Sequence, residues 1–391
     1  MHVSVPAAQL RCVFPDATPE AAWGQQEGRR VSIKELGWNS FFEAMWPEYA
    51  APGYLPARVV SQQRSLWRIA GDFGETWGAP SGRLRGESEA GGDWPAVGDW
   101  VSAEVAGTED RATLHAVLPR RSQFARKVAG RSMGRQVLAA NVDTAFIVAG
   151  LDGDFNLRRL ERYLAQCWES GARPVILLNK ADQCEDVAAP VAAAECIAMG
   201  APVLALSART GQGIDALHAF VLPRQTAVLL GSSGVGKSAL VNRFAGEDRQ
   251  AVQAVRERDS RGRHTTTARE LLLLPGGAMV IDTPGLRELQ LWDAADGVAH
   301  TFPDIEGLAG QCRFRDCRHE NEPGCAVRAG LEAGTLDRAR LESHSKLERE
   351  QQFLRRKRDP EARKQEQHRV KVLMRVVRRK YRQRERDGGK R

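Results

Sequence analysis

At 391 residues the chain can hold two or three domains with ordinary cores, and no apolar run approaches the roughly eighteen residues of a membrane span. Its opening lacks a basic segment followed by a long apolar stretch, and seven cysteines in so long a chain exclude a disulfide scaffold, so a soluble cytoplasmic protein is expected. The formal charge of +8 is concentrated in residues 345–391, where 19 Lys/Arg face 7 Asp/Glu, which points to a polyanion docking there.

Residues 1–50 carry little periodicity and read as an N-terminal extension, with Trp23, Trp38 and Trp46 among polar residues. Across 51–127 come short alternating stretches, ARVVSQQ, SLWRIAG, GRLRGE, GDWVSAEV and ATLHAVL, separated by clusters of Gly, Pro and Asp. Strands at this spacing predict a small antiparallel barrel of the oligonucleotide-binding (OB) type, although strand count alone leaves a sandwich open.

From 128 to 292 the pattern changes. The apolar runs TAFIVAG (144–150), PVILLNKAD (174–182), PVLALSA (202–208) and TAVLLG (226–231) alternate with helical stretches such as NLRRLERYLAQCWES. This predicts an α/β domain, a parallel sheet covered on both faces, followed by a hairpin in ELLLLPGGAMVIDTPG. Residues 293–346 become helical and short-looped around a cysteine cluster, and 347–391 form a basic helical tail with one break at DPEA.

The strand–loop–helix grammar of TAVLLGSSGVGKSALVNRF is what a phosphate-binding loop requires. Gly231, Gly234 and Gly236 let backbone N–H groups converge on phosphate oxygens, with Ser232, Ser233, Val235 and Ala239 completing the lining. Lys237 is expected to reach the outer phosphates and Ser238 to ligate Mg²⁺. In VIDTPG, Asp282 at a strand end can hold Mg²⁺ through water, and the Gly285 N–H can sense a γ-phosphate.

NKAD then selects the base. Asp182 can accept from guanine N1–H and its 2-amino group together, a pair of donors adenine does not offer. Asn179 would take the guanine carbonyl side and help hold the loop, the Lys180 stem can lie over the ring, and Ala181 completes the turn. Ser207 and Ala208, about 25 residues on, fit a short loop supporting the base. The base reader therefore precedes the phosphate loop by about fifty residues, the usual order cyclically rotated. A parallel sheet tolerates such a permutation when the original ends lie close together.

Cys312, Cys317, His319 and Cys325 supply three thiolates and one imidazole within CRFRDCRHENEPGC, the donor set of a closed, structural Zn²⁺ site. In RGRHTTT, Thr265, Thr266 and Thr267 offer hydroxyls, one of which would complete Mg²⁺ coordination; the sequence does not choose among them.

With NKAD, GSSGVGKSALVN, GRHTTT, DTPG and the cysteine–histidine cluster in this order, the chain resembles the ribosome small subunit-dependent GTPase A family. The resemblance spans about residues 50–345. It implies an OB-type barrel, a circularly permuted P-loop GTPase domain and a C-terminal helical zinc-binding domain, all docking on ribosomal RNA. It implies GTP hydrolysis during late maturation of the small (30S) ribosomal subunit, stimulated by that subunit and coupled to release of the protein or of assembly factors. It further suggests that His264 assists hydrolysis or contacts RNA; an exposed loop histidine is the alternative. Leu286 follows the DTPG glycine where many GTPases carry a water-orienting glutamine, so slow intrinsic turnover is expected. A monomer with no membrane association is expected. The competing readings are a GTP-gated RNA-binding scaffold with negligible turnover and a GTPase of membrane surfaces.

Overall fold

The computed structural model describes residues 31–63, 65–105, 111–127, 135–245, 269–282 and 295–358. Strands β1 (Tyr54–Gln63), β2 (Leu66–Gly71), β3 (Gly74–Pro80), β4 (Trp100–Val105) and β5 (Arg111–Val117) run in the order β1-β2-β3-β5-β4, and β4 pairs back onto β1. That last pairing closes the barrel and disposes of the sandwich. Ala57, Val59, Trp67, Ile69, Val101, Ala103 and Leu114 fill its interior.

Two local expectations fail here. GRLRGE lies not in a strand but in helix α2 (Gly82–Glu89), which Ser81 caps by accepting from the Leu84 N–H and Arg83–Glu87 braces with an exposed i,i+4 pair. The third barrel strand is β3, within a stretch that reads as a separator because of its glycines. The segment from Val31 packs against its neighbours, with Val31, Leu36, Trp38 and Phe42 buried. Helix α1 (Ser40–Met45) is capped by Asn39, and Trp38 meets Trp100 edge-on at 4.8 Å between ring centroids.

A short hairpin, β6 (Gln123–Lys127) with β7 (Arg135–Ala140), leads into the parallel strands β8 (Thr144–Gly150), β9 (Arg173–Asn179), β10 (Val203–Ala205), β11 (Thr226–Leu230) and β13 (Met279–Asp282). Strand β12 (Arg269–Leu273) runs antiparallel to β13. Alternation along the strands sorts side chains to two faces. Ala145, Ile147, Ile176, Leu178, Val228 and Leu230 pack against α3 (Leu157–Ser170) and α4 (Ala188–Ala198). Phe146, Val148, Val175, Leu177, Ala227 and Leu229 face α5 (Lys237–Ala245) and the turn at Ile214 and Leu217.

The sheet order is β10-β9-β8-β11-β13-β12, continuing into β1. The phosphate-loop strand β11 thus sits between a strand earlier in the chain, β8, and one later in it, β13. The barrel is not a separate bead. A register shift bends β1 between Val59 and Ser61, and beyond the bend Ser61 and Gln62 pair with Glu270 and Arg269 of β12.

Four helices close the described chain: α6 (Ala295–Thr301), α7 (Pro303–Ala309), α8 (Ala326–Glu332) and α9 (Arg338–Arg358). Helix α6 crosses α3 so closely that a methyl group on Gly297 would strike the Ala165 carbonyl. Arg340 fastens this layer, donating to buried Glu161 on α3, to Asp304 and to the Thr301 carbonyl, with Phe302 under its guanidinium. No helix among the described residues is long and apolar enough to cross a membrane.

Candidate functional site: a nucleotide cleft and a Cys₃His cluster

The ends of β8, β9 and β11 converge at one edge of the sheet, where a parallel α/β fold gathers its ligands. Gly231 (φ 144°) and Gly236 (φ 94°) hold backbone conformations that a side chain would strain. A methyl group on Gly231 would also strike the Val148 carbonyl, and one on Gly236 the Asn179 amide. Lys237 opens α5 and donates to the carbonyls of Gly231 (2.7 Å) and Ser232, so its ammonium lies across the loop it serves.

Asn179 ends β9 and is 2% exposed. Its Nδ2 donates to the Val235 carbonyl at 2.7 Å, and its Oδ1 accepts from the Ala208 N–H at 2.9 Å. One buried amide therefore ties the NKAD turn to the glycine-rich loop and to the loop at Ser207 and Ala208. Removing it orphans a buried donor and a buried acceptor. Asn179→Ala is expected to lower stability by about 2–4 kcal/mol and GTP affinity by at least about tenfold, read by urea unfolding and calorimetric titration. Retention of both would mean that the three loops hold one another without it.

Lys180 adopts left-handed backbone (φ 66°) and pairs with Asp152. Asp182 accepts from the Ser207 hydroxyl and pairs with Arg209 at 2.5 Å. The Ser207 hydrogen bond, with Arg209 behind it, holds the Asp182 carboxyl below the usual carboxylate range. Ser207 and Ala208 are both buried. Ser238 stands in the first turn of α5, and Asp282 ends β13. His264, Thr265, Thr266, Thr267, Gly285 and Leu286 lie outside the described residues, as do residues 1–30 and the tail beyond 358.

Two arginines act here that the sequence did not single out, and a third braces the helix that carries one of them. Arg243 on α5 donates to the carbonyls of Ala208 (3.0 Å) and Arg209 (2.8 Å), so the helix after the glycine-rich loop itself holds the 207–209 loop. Arg159 on α3 reaches the Ser232 hydroxyl at 2.5 Å and Asp154 at 2.6 Å. Burial raises the pKa of neighbouring Tyr163, which also meets Ser232. Arg162 binds α3 to α9 through Glu350 at 2.6 Å. On an amphipathic helix these side chains read only as a polar face; contact with a distant loop leaves no local signature.

Away from this cleft, Cys312, Cys317, His319 and Cys325 bring their ligand atoms within 4.8 Å of one another. Cys312 Sγ lies 3.9 Å from Cys325 Sγ and 3.6 Å from His319 Nδ1, and Cys325 Sγ lies 3.4 Å from that nitrogen. Tetrahedral zinc with bonds of about 2.3 Å to sulfur sets ligand–ligand edges of about 3.7 Å, and these spacings fit it. A disulfide, at about 2.05 Å, they do not fit. His319 holds a left-handed backbone (φ 62°), a conformation that turns its ring toward the thiols at a local cost. Cys325 also caps α8, accepting from the Arg328 N–H at 3.4 Å.

The sequence pattern described as RsgA GTPase matches residues 117–292. The small ribosomal subunit biogenesis GTPase RsgA of Opitutus terrae is 47% identical over 352 residues, covering 88% of this chain and 96% of that protein. This chain belongs to the RsgA GTPase family. Its relative from Syntrophotalea carbinolica, of the same name, is 47% identical over 324 residues, covering 81% of this chain and 88% of its own. Among solved structures, YjeQ from Thermotoga maritima matches with a TM-score of 0.58 and 25% identity over 76% of this chain and 98% of its own. YloQ, described as a circularly permuted GTPase, matches in fold with a TM-score of 0.52, 21% identity and coverage of 78% and 96%. The rotated motif order of this chain thus accords with its fold likeness to a structure described as circularly permuted.

Proposed function

We propose that this RsgA-family protein is a GTPase that binds the small ribosomal subunit and hydrolyses GTP during the subunit's late maturation. The observation that carries the nucleotide reading is the Asn179 brace, which joins three motifs separated by 56 and 29 residues in sequence into one cleft. The relatives' printed role in small-subunit biogenesis supports the partner.

In this reading Asp182 accepts from the guanine edge, Lys180 covers the ring, and Ser207 and Ala208 support the base. Residues Gly231 to Ala239 wrap the phosphates, with Lys237 leaving the Gly231 and Ser232 carbonyls to neutralise the charge that develops on the transferred phosphoryl group. Ser238 and Asp282 would hold Mg²⁺, which supplies electrostatic stabilisation of the phosphate oxygens when bound. Gly285, Thr265 or Thr266 and His264 complete the catalytic set, and the four Cys/His ligands would hold one structural zinc. The accompanying organisation is an extension (1–50), the barrel (51–127), the permuted GTPase domain (128–292), a zinc-binding helical domain (293–346) and a basic tail (347–391). The protein acts as a cytoplasmic monomer, with ribosomal RNA contacted by barrel, zinc domain and tail.

Leu286 can neither donate nor accept a hydrogen bond, so the chain alone does not orient the attacking water through that position. GTP turnover is expected to be slow alone and strongly stimulated by small subunits, and His264→Ala should abolish the stimulation while leaving GTP binding intact. Fast turnover indifferent to subunits would end the partner-activated reading; stimulation that survives His264→Ala would remove the histidine's part in it.

A further inference from the structure

The Asp182 carboxylate already has partners. Its Oδ1 accepts the Ser207 hydroxyl, and Arg209 Nη2 stands 2.5 Å from its Oδ2. The Asp182 side chain is 9% exposed and that of Arg209 71% exposed. The guanidinium therefore reaches the carboxylate from the solvent side, the side from which a base must also arrive. The inner side is closed: Ser207 is buried and its oxygen also accepts from the Thr210 N–H, while Arg243 and Asn179 fix the backbone of the same loop.

Chemically the two visitors are alike. A guanidinium offers planar N–H donors to a carboxylate, and so does the guanine edge, with N1–H and the 2-amino group side by side. Accepting both guanine donors requires both oxygens of Asp182, including the one that Arg209 holds. We propose that Arg209 sets the affinity and the purine selectivity of the base site by competing with the guanine 2-amino group for Asp182 Oδ2. This rests on the guanine reading given above.

The competition has a base-specific signature. Hypoxanthine keeps N1–H but lacks the 2-amino group, so an inosine nucleotide engages one oxygen and leaves Oδ2 to Arg209. A guanosine nucleotide must displace the guanidinium, and the ion pair is subtracted from its affinity. Arg209 thus narrows the preference for guanosine over inosine nucleotides. Because the pair is exposed on one side, its effect is modest and weakens with salt.

The test is calorimetric titration of the full chain with GDP, IDP and ADP, in the unmodified protein, Arg209→Ala and Asp182→Asn, at low and high salt. Arg209→Ala is expected to tighten GDP binding about two- to fivefold, leave IDP unchanged and widen the GDP/IDP ratio by the same factor, less so at high salt. Weaker GDP binding, or equal shifts for GDP and IDP, would overturn the proposal, since Arg209 would then assist the base or merely shape the loop. The Asp182→Asn arm separates the two layers. If that change leaves the preference for GDP over ADP intact, the guanine reading itself falls. If it erases the preference while Arg209→Ala leaves the GDP/IDP ratio unmoved, only the competition falls.

Discussion

Replacing Arg58 with methionine is expected to destabilise the protein by about 3–5 kcal/mol, a large part of the roughly 5–15 kcal/mol that holds a domain folded. Arg58 is 2% exposed on β1, yet it carries a guanidinium into the seam between barrel and nucleotide domain. There it donates to the Leu36 carbonyl, to Gly98 O at 3.3 Å, to Asn141 O at 3.4 Å and to Thr226 Oγ1 at 2.8 Å, with the Trp100 ring 5.6 Å away. Burial lowers its pKa to about 10, with Asp143 and Asp99 opposing, so the group stays charged at neutral pH. Methionine matches the length of the stem but leaves the Leu36 and Asn141 carbonyls without this donor in a site closed to water. Lysine should not rescue the loss, because one ammonium cannot span acceptors arranged for a planar fork. Urea denaturation measures the effect. A change below about 1 kcal/mol for Arg58→Met would show that the seam relaxes and that the guanidinium is dispensable.

The second large effect is expected from metal removal. Purified protein should contain one zinc per chain, and stripping it should melt the segment from Cys312 to Cys325 together with α8. That segment has little core of its own: Cys325 and Val327 are its buried contribution to a cluster otherwise built from Ala165, Val298, Phe302, Ile305, Leu336 and Leu347. A structural zinc contributes apparent binding energies of order 10–16 kcal/mol at neutral pH in small zinc domains, more than such a cluster supplies. Thiolate ligands must be deprotonated, so zinc retention should weaken as pH falls. Elemental analysis, followed by limited proteolysis before and after chelation, reads both effects. The chelated protein is expected to be cut within 312–325 while still binding GTP through the distant cleft. Unchanged protease resistance after complete metal removal would show the cluster to be structurally inert.

What could be read from sequence follows from how local each feature is. The phosphate loop, NKAD and the cysteine–histidine cluster are short strings whose chemistry depends on close spacing, and each reads as a site without a fold. The convergence of the first two, and the permutation that makes it possible, follow from the order of the strands. Arg58 could not be found this way. In ARVVSQQ it occupies one position of an alternating strand, which a solvent-facing arginine would fill equally well; only the docking of Thr226 and Leu36 from elsewhere closes its surroundings. Arg243 and Arg340 are hidden for the same reason. GRLRGE misled because glycine and arginine around one leucine mimic alternation, whereas the Ser81 cap and the Arg83–Glu87 pair decide for helix. Gly74 and Gly78 similarly disguised β3 as a turn, since glycine is scarce in strands that have no special close packing. At Gly78 a methyl would press on the Leu114 side chain.

The bent strand β1 has a consequence for dissecting the chain. Its far end covers β12, the last strand of the nucleotide sheet, so no cut between barrel and nucleotide domain leaves both halves intact. A fragment beginning after the barrel would bare the β12 edge at Arg269 and Glu270, the two residues that β1 pairs in the whole chain. Such an edge can recruit a strand from another molecule, and the fragment is expected to self-associate more readily than the whole chain. Through β1 the barrel therefore also caps the start of the outer strand of the nucleotide sheet.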